Sequence, residues 1–199
     1  MGRRSAKAGI RNSLTPNARY AVAGAGVIAI AAATEFAMGR RLWGISGEPG
    51  FWSGNIWSPH NSQYVFDPYS LSHLIHGMLM YGILWLVASK LPVRSRALIT
   101  LVLEALWEMV ENSGPMIHRY REITISLNYY GDSVVNSMSD IVTCMAGFFL
   151  ARVAPVRFTV ALAIFLEIGM LLWIRDGLIL NIIMLIHPIP AIRAWQLVH

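Results

Sequence analysis

Five stretches of this chain, and most of a sixth, stay apolar for nearly the thickness of a lipid bilayer. Each residue of a helix advances ~1.5 Å, so ~20 apolar residues cross a hydrocarbon core ~30 Å thick. The runs are Tyr20 to Met38, Leu71 to Leu91, Ala97 to Val110, Val134 to Ala151 and Phe158 to Ile174. A last stretch, Leu178 to Gln196, is broken by Pro188 and Pro190, which predicts a kinked sixth span or, as the alternative, a half-helix ending at the interface. Inside lipid every backbone N–H and C=O needs a partner within the protein, so spans are helices or closed barrels. A barrel needs ten-residue segments of alternating polarity, and none is present. The expected fold class is all-α, an integral membrane helical bundle of five or six transmembrane helices, in one domain over residues 1–199.

Only 14% of the residues are charged, against about 25% in soluble domains. The net charge of +5 does not point to nucleic acid, because the basic residues sit in clusters between apolar runs, as topology signals do. Arg3, Arg4, Lys7, Arg11 and Arg19 precede the first run; Lys90, Arg94 and Arg96 follow the second; Arg152 and Arg157 follow the fourth. This asymmetry places the N-terminus in the cytoplasm, with Arg193 there too if the last stretch crosses. The outer side would carry Arg40, Arg41, Arg119, Arg121 and Arg175. The first run exceeds the 7–15 residues of a signal-peptide core and reads as a retained helix. Its Ala21, Ala25, Ala29 and Ala33 form a small-residue stripe suited to close helix approach. Cys144, the single cysteine, excludes a disulfide framework and reads as a small buried hydrophobe.

The outer loop, residues 39–69, holds Trp43, Phe51, Trp52, Trp57, Tyr64, Phe66 and Tyr69. Such a loop either lies on the headgroup layer or packs as a cap on the helices. Polar residues then enter the membrane from the same side. His73 and His76 stand about one turn apart on the second helix. Glu104, Glu108 and Glu111 follow one stripe of the third, and Asp132, Asn136 and Asp140 one stripe of the fourth. Ionisable side chains in lipid face the bundle interior and mark function. These eight residues are the candidate polar pocket, opening outward, and membrane lipid is the expected partner. Carboxylates, an amide and imidazoles also suit a divalent metal ion. Each has a plainer role as well: Asp132 or Ser133 as an N-cap, Glu111 as a helix end, His73 as an interfacial side chain. Glu35 and Glu167 are weaker candidates. Arg119 and Arg121 either clamp an anion or reach to headgroups. Arg175-Asp176-Gly177 reads as an ion pair that turns the chain.

The stretches Phe66–Gly77, Glu104–Ser113 and Tyr129–Asp140 resemble a bacterial inner-membrane family classified as a domain of unknown function. That resemblance implies a multi-pass protein of the inner (plasma) membrane and supplies no reaction. A looser similarity is to VanZ-like membrane proteins, associated with glycopeptide tolerance. There His76, Glu108, Arg119 or Arg121, and Asp132 with Asn136 fill the family's positions, while the long aromatic loop and the glutamate stripe depart from it. HExxH, GxSxG and a Gly-rich phosphate loop are all missing. Three functions stay open: an outer-leaflet enzyme on a lipid-linked substrate, a binder or carrier of a lipid or anionic ligand, and an assembly subunit.

Overall fold

The computed structural model describes residues 15–44, 46–125 and 129–198, so most of the basic leader lies outside the described residues. Eight helices follow in order: α1 Pro16–Ala37, α2 Ser70–Val87, α3 Val93–Glu111, α4 Gly114–Ile123, α5 Val134–Val153, α6 Val156–Ile174, α7 Leu178–Ile186 and α8 Pro190–Leu197. Among the described residues the only strand-like pairing is an isolated bridge between Trp52 and Phe66. Four helices, α1, α2, α5 and α6, are long and apolar enough to cross a membrane. At 19 residues α3 is long enough, but Arg94, Arg96 and its three glutamates set it apart from them.

Local chemistry sets the starts. Thr15 caps α1 through its side chain with Pro16 in the first turn, and Ser133 Oγ accepts from Asn136 N at the head of α5. The N-cap of α5 is therefore Ser133, not Asp132. The five long helices alternate in direction. Tyr20 meets Ser95 at one end of the bundle, while Asn112 meets Asp132 and Tyr69 meets Asp176 at the other.

The tightest packing joins α2 to α5. A Cβ on Gly77 would lie 1.8 Å from the Cys144 carbonyl oxygen, and one on Gly147 would lie 2.0 Å from that of Leu74. Two glycines thus bring the backbones together at a distance no other residue permits. The expected alanine stripe of α1 does not serve this way. Ala21, Ala25, Ala29 and Ala33 are exposed, and Val27, Ile28 and Ala31 pack on Leu101, Ala105 and Ile141 instead.

Leu178 to Gln196 is not a kinked span. Pro188 and Pro190 end α7 and open α8, and α8 turns back. Gln196 Nε2 donates to the Arg175 carbonyl at 2.9 Å, and Arg175 donates to the carbonyls of Trp195 and Val198. The hairpin returns to the level where it began, which puts Arg193 beside Thr124 at 3.2 Å. Arg175 and Asp176 do not pair with each other as expected: Asp176 accepts from the Tyr69 hydroxyl and from Gly177 N. Glu167 proves to be the cap of α7, accepting from Leu178 N and Ile179 N.

The aromatic loop is a cap on the helices. It satisfies the start of α5: Val134 N and Val135 N donate to the carbonyls of Arg41 and Leu42, and Asn136 Nδ2 to that of Tyr64. Trp52 stacks on Trp173 at 5.9 Å, yet Phe51, Trp52 and Trp57 keep exposed faces.

Candidate functional site

The polar residues gather at the end of the bundle that the loop covers. Asp67 begins the arrangement. Its carboxylate accepts from Ser62 N, Tyr69 N and Ser70 N, which fixes the first turn of α2. From there helical spacing aims His73 and His76 at α3. His73 Nδ1 is hydrogen-bonded to Glu104 Oε1 at 2.6 Å, and His76 Nδ1 approaches the same oxygen at 3.3 Å. The two imidazoles meet edge to face, 5.1 Å between centroids. Glu108 Oε1 is 3.4 Å from His73 Nδ1. Asp140 Oδ2 on α5 stands 4.0 Å from His73 Nε2. His73 is therefore the hub on which Glu104, Glu108 and Asp140 converge from two other helices.

This cluster is buried within the bundle. Glu104, Glu108 and Asp140 are 2%, 1% and 3% exposed. Glu108 Oε1 and Asp140 Oδ1 are buried with no hydrogen-bond partner. A buried carboxylate oxygen left without a donor is costly, by more than the ~1–3 kcal/mol of an unsatisfied neutral group.

Above the cluster lies a cavity of about 370 Å³. Its lining carries His73, His76, Glu104, Glu111, Asp132, Asn136 and Asp140. Apolar side chains line it as well, among them Met80, Leu103, Trp107, Ile182 and Leu185. Glu108 sits behind His73 rather than on the wall. No lysine or arginine is among the described residues that line the cavity. Arg119 Nη2 donates to the Leu185 carbonyl at 2.9 Å and Arg121 Nε to that of Tyr129, so neither guanidinium joins the pocket residues.

Asp132 is placed by its neighbours. Gly131 adopts φ +93° and has Asn112 Oδ1 3.0 Å from where a Cβ would stand, so glycine is required there. Asn112 Nδ2 and the Tyr129 hydroxyl donate to the Asp132 carboxylate at 3.1 and 3.0 Å. Burial, then the nearby Glu111 and Asp67 carboxylates, push Asp132 up to about 7. Burial likewise raises Asp67 above the ordinary range. Asn136 spends its amide on the loop, donating to the Tyr64 carbonyl. Asp67, Asn112 and Tyr129 were missed as site residues from sequence. An Asp-Pro three residues before a helix is a start signal and offered a route to Asp67. Asn112 read only as a helix end.

The metal-ligating types fall in two overlapping groups, His73 with His76 and Glu104, and His73 with Glu108 and Glu111. Within each, the candidate ligand atoms lie within 4.8 Å of one another.

An all-helical bundle with four helices apt to span a membrane, closed at one end over an acid and histidine cavity, is the class of protein these features define. Residues 35–198 match the family described as a protein of unknown function, DUF2585, and the chain belongs to it. Relatives named UPF0314 protein occur across bacteria. One from Rhizobium johnstonii is 46% identical over 170 residues, 85% of this chain and 87% of the relative. One from Paracoccus denitrificans is 46% identical over 170 residues, 85% and 88%. One from Novosphingobium aromaticivorans is 47% identical over 150 residues, 73% and 76%. No solved structure matches the chain. These relatives lend no support to the VanZ-like similarity.

Proposed function

We propose that this chain is a multi-pass protein of the bacterial inner membrane, with a cytoplasmic N-terminus, that holds an amphipathic, lipid-linked ligand in the cavity from the outer side. The observation that carries this is the mixed lining, acid and histidine side chains of α2, α3 and α5 together with the apolar Trp107, Ile182 and Leu185. A ligand that matches it has a polar head and a hydrocarbon tail. The head faces acidic side chains, namely Glu111, Asp132 and Asp140, with no lysine or arginine among the residues lining the cavity. Hydroxyl or amine donors suit such a wall. A bare anion would meet acidic side chains with no lysine or arginine beside them, since neither Arg119 nor Arg121 lines the cavity. The His73–Glu104 hydrogen bond supports a second reading, a membrane enzyme using this pair in proton transfer on the same lipid-linked substrate.

The test is to purify the full chain in mild detergent and quantify co-purifying amphiphiles by mass spectrometry. Leu185→Trp, which adds bulk to the apolar lining, should lower the retained amphiphile to background. Leu172→Trp, on the outward face of α6, should leave it unchanged. Equal retention in both variants would sink the reading. Turnover of the retained amphiphile, lost in Glu104→Gln, would favour the enzyme.

A further inference from the structure

We propose that His73, His76 and Glu104 bind a divalent transition-metal ion at the floor of the cavity, with Asp140 orienting His73. The argument starts from donors and acceptors. Glu104, Glu108 and Asp140 bring six carboxylate oxygens together around His73 and His76, and no lysine or arginine is among the described residues that line the adjoining cavity. Two of those oxygens, Glu108 Oε1 and Asp140 Oδ1, have no partner although both residues are at least 97% buried. A cation bound beside these oxygens would supply the positive partner that no lysine or arginine lining the cavity provides.

A cation fits between the ligand atoms of this hydrogen bond. His73 Nδ1 and Glu104 Oε1 are 2.6 Å apart. Two ligands bound at ~2.1 Å to one ion stand roughly 3.0–3.4 Å apart. Replacing the proton by a metal therefore widens the pair by less than an ångström. His76 Nδ1 is already 3.3 Å from the same oxygen. His76 is half-buried and lines the cavity, so the ion's remaining positions face the open space rather than the helices. That leaves room for a ligand atom, as in metal sites that keep an open position.

The surroundings follow the pattern of metal centres. Ligation through Nδ1 leaves the Nε2–H of His73 pointing toward Asp140 Oδ2, 4.0 Å away. A carboxylate behind a ligating histidine fixes its tautomer and ring angle. Glu108 and Glu111 form the overlapping group on His73 and complete the negative field. Two nitrogens and a carboxylate, with no thiolate in the set, suit zinc, iron(II) or manganese(II) better than the softer copper(I). The site stands whether or not an amphiphile fills the cavity. It also supplies the positive charge that an anionic head would need there.

The experiment uses the full chain in detergent, stripped with chelator and reloaded with zinc, manganese or cobalt(II). Elemental analysis should find about one ion per chain. His76→Gln and Glu104→Gln should weaken binding by about 100-fold or more, going beyond the loss typical of an outer-shell change. Asp140→Asn should weaken it about tenfold. Glu122→Gln, an exposed change on α4, should bind as the native chain does. Bound cobalt(II) should give visible ligand-field bands that His76→Gln lacks. Metal should raise the thermal midpoint of the native chain and leave that of His76→Gln unmoved, a readout that survives even if Glu104→Gln does not fold. A native chain that melts cooperatively yet holds no ion, or holds it equally in His76→Gln, overturns the site. Amphiphile retention measured in chelator keeps this failure distinct from failure of the lipid reading.

Discussion

Asn112 and Asp132 hold each other by two hydrogen bonds: Asn112 Oδ1 accepts from Asp132 N at 2.6 Å while its Nδ2 donates to the Asp132 carboxylate at 3.1 Å. The same Nδ2 reaches Ser137 Oγ at 3.0 Å. One amide thus ties the end of α3 to the start of α5 and positions the rim of the cavity. Asn112→Ala should cost roughly 2–4 kcal/mol, because it strands a buried N–H and a carboxylate together. Chemical unfolding of the purified chain measures this, and a loss below ~1 kcal/mol would contradict the clamp.

The α2–α5 contact makes a sharper forecast. Gly77→Ala and Gly147→Ala each drive a methyl group into a carbonyl oxygen, and both backbones must part. Each should abolish the folded monodisperse species in size-exclusion chromatography. Gly82→Ala, on the same α2, has nothing within 4 Å and should be neutral or slightly stabilising. If all three behave alike, the close approach is wrong.

Stability should fall as pH rises. Asp132 is held at about 7 and Asp176 at about 6, both by burial first, against an ordinary 3.8. A raised carboxyl pKa means the folded state binds the proton more tightly. The associated stability is complete below pH ~4 and is lost as pH climbs through 6 to 7. The thermal midpoint should drop by about 5 °C between pH 5 and 8. Asp132→Asn and Asp176→Asn should each flatten that slope. A midpoint that rises with pH in the native chain would refute the assignment.

On the proposed topology, a reporter inserted at Lys90 reads the cytoplasm and one at Asn61 reads the outside. Alkaline phosphatase and fluorescent-protein fusions at both positions decide it. Activity of the phosphatase at Lys90 would reverse the orientation.

Much of the architecture was legible because length and polarity are one-dimensional properties. The runs that became α1, α2, α5 and α6 needed no knowledge of neighbours. The polar stripes were legible for the same reason: a spacing of three or four puts His73 with His76, and Glu104 with Glu108, on one side of a helix. What escaped was whatever depends on a partner distant in sequence. Gly77 and Gly147 look like ordinary helical glycines until each meets the other helix. Asn112 looked like a helix end because its partner lies twenty residues on. The α1 alanines pointed outward since nothing in the spacing says which side of a helix a neighbour will take. Arg119 and Arg121 were plausible anion ligands by type, and spacing could not say that neither would line the cavity. The last stretch misled because Pro188 and Pro190 can bend a span or reverse it, and Arg175 holding the chain end decided for reversal.

That reversal has a practical side. Pro16 and Val198 finish at opposite ends of the bundle, the latter beside Arg175. On the proposed topology a label joined beyond Val198 is exported. A fluorescent protein threaded unfolded through the secretion machinery stays dark there, so an expression screen scored by C-terminal glow would discard a well-inserted protein. An affinity tag on the same end would be reachable from outside intact spheroplasts, whereas one on the N-terminal side would need the cells broken.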